Sequence, residues 1–293
     1  MCEAKHYPLS DWEKHRIVLT DLTIWPCYSR SAVDLRPVFG ELESVLRDWN
    51  IDFTVLGKSD APLDIWIRDW GFVEGVFFHY SPDYAKGYYK PAAIAHARDA
   101  LVRRLGVSCR TLPVVLDGGN LIHNGKIAIL TEKVFRENPS LSRMEIERAI
   151  ISLGFERVVF IPVEPGDEIG HADGMCRFVS EQVLLVNDYN HASLRSFGRR
   201  LRKVLAAAKL GAELTRFPSF FQEGHYDGIP SAIGCYMNFI QLAQGIILPT
   251  FDHPKDDKAR DVLASVTRTS IAAINAIPLA KLGGVFNCVS LSF

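Results

Sequence analysis

The chain has 293 residues, 48% of them hydrophobic and 23% charged, a globular composition that excludes large-scale disorder. A net charge of -1 and a pI near 6.8 provide no long-range field toward nucleic acid or an anionic membrane, so any binding must reside in a local site. Six cysteines, at 2, 27, 109, 176, 235 and 288, form no C-x-x-C pair; there is no apolar signal core and no apolar run of the roughly 18 residues that span a bilayer, so reduced thiols and a cytoplasmic location are expected.

Residues 17–57 and 63–114 are two irregular copies of a plan that is clearest over residues 119–162: an extended run, a second extended run, a helix and a short apolar returning strand. There, residues 120–123 are expected to pair with 126–130 through Asn124-Gly125, a dipeptide suited to a type I′ turn with positive φ at both central residues. Asn138-Pro139-Ser140 marks a helix start, Met144, Ile146, Ala149, Ile150 and Leu153 give that helix an apolar face, and residues 158–161 form the returning strand. The plan repeats over residues 171–218, with strands at 175–179, 182–186 and 213–217 and a helix at 194–209. That helix carries the basic cluster of residues 195–203, but Leu194, Phe197, Leu201, Val204 and Leu205 recur at helical spacing, which makes the basic residues a solvated face. A last copy, residues 233–286, has strands at 235–240 and 246–250, a helix over about 258–275 and a final strand before Cys288. Five units about 50 residues apart, with no linker between them, predict an α/β fold of ββαβ units forming one domain over residues 1–293, closed so that no sheet edge stays open.

Four polar corners then stand out: Asp64-Ile-Trp-Ile-Arg-Asp69, Leu116-Asp-Gly-Gly-Asn120, Gly170-His-Ala-Asp-Gly174 and Gly283-Gly-Val-Phe-Asn-Cys288. If equivalent unit ends converge, one pocket holds Asp69, Asp117, His171, Asp173 and Cys288. Paired carboxylates accept the N–H pairs of a planar cation such as a guanidinium. A thiol is the strong nucleophile of the set, and bound positive charge or an imidazolium favours its thiolate. A histidine can protonate departing ammonia and then activate water. On a strand, His171 and Asp173 would share a face, and the glycines at 283 and 284 would let a ligand approach the backbone.

In order along the chain, Trp66-Ile-Arg-Asp69-x-Gly71, Asp117-Gly-Gly-Asn120, Gly170-His171-x-Asp173, Tyr236-x-Asn238-Phe239 and Gly283-Gly-x-x-x-Cys288 resemble the signatures of the agmatine deiminase and bacterial-type peptidylarginine deiminase family, guanidine-modifying enzymes of the pentein fold. Trp25-Pro26 resembles that family's early Trp-Pro. The resemblance implies a five-bladed α/β propeller and a cysteine hydrolase with no metal and no cofactor. Cys288 would attack the guanidinium carbon, and His171 would expel ammonia and then hydrolyse a thiouronium intermediate. Asp69 and Asp173 would hold the guanidinium, with Asp117, Trp66, Asn238 and Gly284 lining the substrate pocket. The implied partner is a small guanidine, agmatine first; no nucleic acid or membrane is expected, and a homodimer is the expected assembly.

Three departures bear on substrate choice. Asp117 stands where the family usually has Glu, Asn287 where it commonly has His, and Phe72 where it has Pro. Structural readings compete at each position: Cys288 as a small buried residue, Asp69 in a plain salt bridge with Arg68, Asp117 in a hairpin turn, His171 and Asp173 as half a metal site, Asn238 as a core amide and Trp66 as core. Among functions, arginine, a methylarginine or a peptidyl arginine are alternative substrates, and an amidinotransferase or a non-catalytic pentein-like binding protein are the alternative classes. Residues 222–230 are a candidate lid, with Gly224 and Gly228 as hinges.

Overall fold

The computed structural model describes residues 7–23, 33–220, 222, 224–226 and 229–293. Cys2, Trp25, Pro26, Cys27 and Gly228 lie outside the described residues, so the early Trp-Pro and one of the two lid hinges lie there too.

The protein is mixed α/β. Among the described residues, four sheets have three strands, one larger sheet has two, and a further two-stranded ladder pairs His225–Tyr226 with Ile229–Pro230. In three consecutive units an antiparallel hairpin is followed by a helix and a strand that returns parallel. These are Leu121–His123, Ile127–Thr131 and Arg157–Ile161; Cys176–Ser180, Val183–Asn187 and Glu213–Phe217; and Ile240–Leu242, Gly245–Thr250 and Ser270–Asn275. Val76–His79 and Arg110–Val115 form the parallel half of a fourth such unit.

The remaining sheet joins the two ends of the chain. Arg16–Thr20 runs parallel to Asp52–Leu56 and antiparallel to Ser290–Ser292, with Ile17 opposite Ser292 and Leu19 opposite Ser290. Cys288 therefore stands just ahead of a strand that completes the first unit; it does not end the fifth unit. The fifth unit's return strand is Ser270–Asn275, and its helix, Lys255–Val266, ends well short of the expected residue 275. The segment Ser270-Ile-Ala-Ala-Ile-Asn275 spaces its isoleucines three apart, which would share one face of a helix and lie on opposite faces of the strand that forms, so the spacing points to the wrong element.

Each long helix buries one stripe at helical spacing: Val38, Leu42 and Leu46; Ala97, Leu101 and Leu105; Ile146 and Ile150; Phe197, Leu201 and Leu205; Ala259 and Leu263. Burial of each large aliphatic or aromatic side chain contributes about 1.5–3 kcal/mol, which anchors the helices on their sheets and frees the strand ends to carry polar groups. Arg195, Arg199, Arg200 and Lys203 of the helix Arg195–Ala207 are exposed, as expected, but Arg202 is part-buried and donates to the carbonyls of Asn187 and Asp188.

Two local expectations change. The 124–125 turn is not type I′, because only Gly125 has positive φ, at 82°. Asn124 Oδ1 instead accepts the N–H groups of Lys126 and Ile127 at 3.2 and 2.8 Å, an Asx-type turn. The helix Arg143–Ile151 is capped not by residues 138–140 but by Ser142, whose hydroxyl accepts from the Glu145 N–H while Glu145 bonds back to the Ser142 N–H.

Candidate active site

The first corner is built on a buried carboxylate. Asp64 Oδ1 accepts the Trp66 N–H at 2.7 Å and the Trp70 indole N–H at 3.0 Å, and Tyr89 donates its hydroxyl to Oδ2. Burial still pushes the Asp64 carboxyl up to about 6, with these three hydrogen bonds opposing it. This frame fixes the short helix Ile67–Trp70, in which all four residues, Asp69 included, are buried.

Arg68 ties that corner to the last one. Its backbone N–H donates to the Cys288 carbonyl at 3.1 Å and its Nε to the Asn287 carbonyl at 3.3 Å. The Arg68–Asp69 salt bridge that a structural reading would require is not formed among the described residues. A cavity of about 20 Å³ borders Arg68 and Asn287, lined on its other sides by Asp11, Lys14, Glu74 and Arg177; neither Cys288 nor His171 reaches it.

Asp117-Gly-Gly-Asn120 packs into the first and third corners. A Cβ on Gly118 would lie 2.0 Å from the Arg68 carbonyl oxygen, and one on Gly119 would lie 2.6 Å from His171 Nδ1 and 3.0 Å from Asp69 Oδ1. The two glycines are thus required by the close approach of three corners, and a hairpin turn alone does not account for them.

His171 links the charged groups. Its Nε2 lies 2.8 Å from Asp117 Oδ2 and its Nδ1 3.7 Å from Asp69 Oδ1. Burial disfavours the imidazolium, but the Asp69 and Asp117 carboxylates outweigh it and raise His171 to about 9. Asp69 is pushed up to about 7, chiefly by burial; His171 opposes this, while Asp117 and Asp173 add to it. Asp69 Oδ1 accepts no hydrogen bond.

Asp117, expected to line the substrate pocket, is fully buried, and its Oδ2 is occupied by His171 and by Lys133 Nζ at 2.6 Å. Sequence reasoning missed Lys133 entirely. Its side chain has 0% exposure, yet a lone lysine after Thr131-Glu132 carries no local mark of burial.

The thiol end is held by amides. Asp173 Oδ2 accepts from Asn238 Nδ2 at 2.9 Å and from Asn287 Nδ2 at 2.6 Å. Asn238 Oδ1 in turn accepts the Cys288 backbone N–H at 3.2 Å and its S–H at 3.3 Å. Burial, then the Asp173 and Asp69 charges, push the Cys288 thiol well above its ordinary range. His171 and Asp173 do not alternate along a strand: Ala172–Gly174 is a 3-10 turn, and the two side chains meet different partners. Gly284 makes room for an indole, since a Cβ there would lie 2.4 Å from Trp66 Cζ3, and Trp66 also packs on the core. No group of three or more His, Cys, Asp or Glu side chains able to hold a metal occurs among the described residues. Cys109, Cys176, Cys235 and Cys288 are free thiols.

The model of the Porphyromonas-type peptidyl-arginine deiminase family matches residues 41–293, and the chain belongs to that family. Among curated relatives, it is 27% identical over 277 residues to the agmatine deiminase of Pseudomonas aeruginosa strain LESB58, a match that spans 84% of this chain and 73% of that one. Its fold is that of the agmatine deiminase of Enterococcus faecalis, with a TM-score of 0.77 at 16% identity over 100% of this chain and 98% of that one. The C. jejuni agmatine deiminase gives a TM-score of 0.72 at 16% identity, covering 98% of this chain and 95% of that one.

Proposed function

We propose that this chain is a cysteine-dependent deiminase of a guanidino group, with agmatine the favoured substrate and N-carbamoylputrescine and ammonia the products. We also infer that the five sheets close into a five-bladed propeller forming one domain, with the four polar corners at its centre. Family membership and the agmatine deiminases among its relatives support the reaction class. The observation that carries the reading is geometric: Asn238 bridges the buried Asp173 carboxylate to the Cys288 thiol, and the buried Asp69 Oδ1 accepts no hydrogen bond.

Asp69 and Asp173 accept the guanidinium N–H groups, and the cation offsets the negative field that keeps Cys288 protonated. The thiol then loses its proton to solvent as the cation enters, and Sγ bonds to the guanidinium carbon to give a neutral tetrahedral adduct. His171, protonated at rest, gives its proton to the departing nitrogen; the C–N bond breaks and ammonia leaves from a thiouronium intermediate. The now neutral imidazole takes a proton from water, whose oxygen attacks the same carbon. The C–S bond breaks as the hydroxyl proton passes to the departing sulfur, the ureido product leaves, and the thiol and the protonated His171 are restored. Asp117 orients His171, and Asn238 and Asn287 fix Asp173. Asn287, standing where the family commonly has His, supplies a neutral donor to that carboxylate.

Ammonia release from agmatine, arginine, methylarginines and an arginine peptide tests this, with wild type and Cys288→Ala side by side. Release from one compound, reduced at least about 10⁴-fold in the variant, is expected. Substantial release by Cys288→Ala would sink the mechanism, and silence of the wild type across the panel would favour a binding scaffold.

A further inference from the structure

We propose that Lys133 is a positioning residue for this reaction: its buried ammonium grips Asp117 Oδ2, the oxygen that also faces His171 Nε2, and so sets how firmly His171 holds its proton. The proposal rests on the reading of His171 as acid and base given above.

The placement begins in the strand Ile127–Thr131. Thr131 donates its hydroxyl to the Gly170 carbonyl at 2.7 Å, which joins this strand's end to the corner that holds His171. The short helix Lys133–Glu137 follows directly. Lys133 Nζ lies 2.6 Å from Asp117 Oδ2 and 3.2 Å from Glu137 Oε1, one turn further on. It also sits 4.6 Å from the centre of the Tyr84 ring, which in turn meets the His171 ring edge-on at 6.1 Å.

A fully dehydrated ammonium is tolerated only when paired. Here Asp117 and Glu137 balance Lys133 and the imidazolium of His171. The groups facing His171 are Asp117 at Nε2, Asp69 at Nδ1, the Tyr84 ring and the Gly119 backbone. Of these, the two carboxylates strengthen its hold on the proton, and Lys133 weakens it through the oxygen they share. An acid that must release its proton to ammonia, and then act as a base toward water, works best with a proton affinity near the operating pH. Two carboxylates alone would hold His171 too far from that range. Lys133 also anchors an aspartate that is one methylene shorter than the family's usual glutamate.

The test is a titration of the His171 imidazole by its ¹⁵N resonances in wild type, Lys133→Met and Lys133→Gln. Glutamine keeps an N–H donor of similar reach and removes only the charge, so it decides the matter if the methionine variant does not fold. Both variants should move the His171 titration upward by roughly one pH unit, as expected for loss of a like charge at this spacing. The same substitution in an Asp117→Asn background should still move the titration upward, but by less, because the direct repulsion between the two cations remains while the shared carboxylate is gone. If neither variant folds, Glu137→Gln, which leaves Lys133 to Asp117 alone, should move the titration downward. Unmoved titrations overturn the proposal whether or not turnover is seen. A moved titration in a protein without deiminase activity supports the proposal and defeats the functional reading alone.

Discussion

The two halves of the site are built from opposite materials. Around His171 lie Asp69, Asp117, Lys133 and Glu137, a dry network of charges joined by contacts of 2.6 to 3.7 Å. Around Cys288 lie the neutral amides of Asn238 and Asn287, which bind Asp173 and leave the thiol as an S–H donor. The charged half keeps a proton ready on His171, and the amide half keeps the nucleophile at rest. In the proposed mechanism a cation that satisfies Asp69 and Asp173 together connects the two halves, and reactivity appears only with that ligand in place.

Asp69→Asn should separate the halves most severely. Loss of one carboxylate of a buried cation site costs about 2–5 kcal/mol, so kcat/KM should fall by more than an order of magnitude in a protein that still folds. The pH profile gives the sign. Asp69 must be ionised to hold the cation, so wild-type kcat/KM should fall as pH drops below about 7; His171 must be protonated, so it should fall again above about 9. Asp69→Asn should lose the acidic limb, and a limb that persists would assign it to another group.

Gly284→Ala probes the packing beside the thiol. With a Cβ 2.4 Å from the Trp66 ring, overpacking should cost about 1–3 kcal/mol of stability, read as a lower denaturant midpoint. An unchanged midpoint would return Gly284 to a role in ligand approach.

Asn287→Ala should have the smallest effect. It removes one of two amide donors from Asp173, worth about 1–3 kcal/mol, and should raise KM more than it lowers kcat. An equal loss in both would mean that Asn287 acts on Cys288 itself and not on the carboxylate.

The alternation of hairpin and helix was legible because burial imposes periods of 2 and 3.6 on the residues that face the core. The hairpins and returning strands of the third and fourth units and the four corners followed from it. In the fifth unit, by contrast, the strand expected over residues 235–240 forms only at Ile240–Leu242, because residues 235–239 turn to bring Asn238 to Asp173 and Cys288. What stayed hidden depends on contacts between distant segments. The pairing of Ser290–Ser292 with the first strand joins the ends of the chain, and no local pattern announces it. Asp117 was legible from its Gly-Gly neighbours and its place in the motif, which are local, whereas Lys133, which takes up its Oδ2, lies in another segment. Gly284 was read as clearance for a ligand, but the clearance serves Trp66 in a distant corner.

The central claim is that a cation between Asp69 and Asp173 converts a resting thiol into a nucleophile. The most direct measurement compares alkylation of Cys288 at neutral pH by a haloacetamidine, which carries an amidinium, and by the neutral haloacetamide. Labelling by the cation should be at least about tenfold faster, with that advantage lost in Asp69→Asn. Equal rates for the two reagents in the wild type would contradict it.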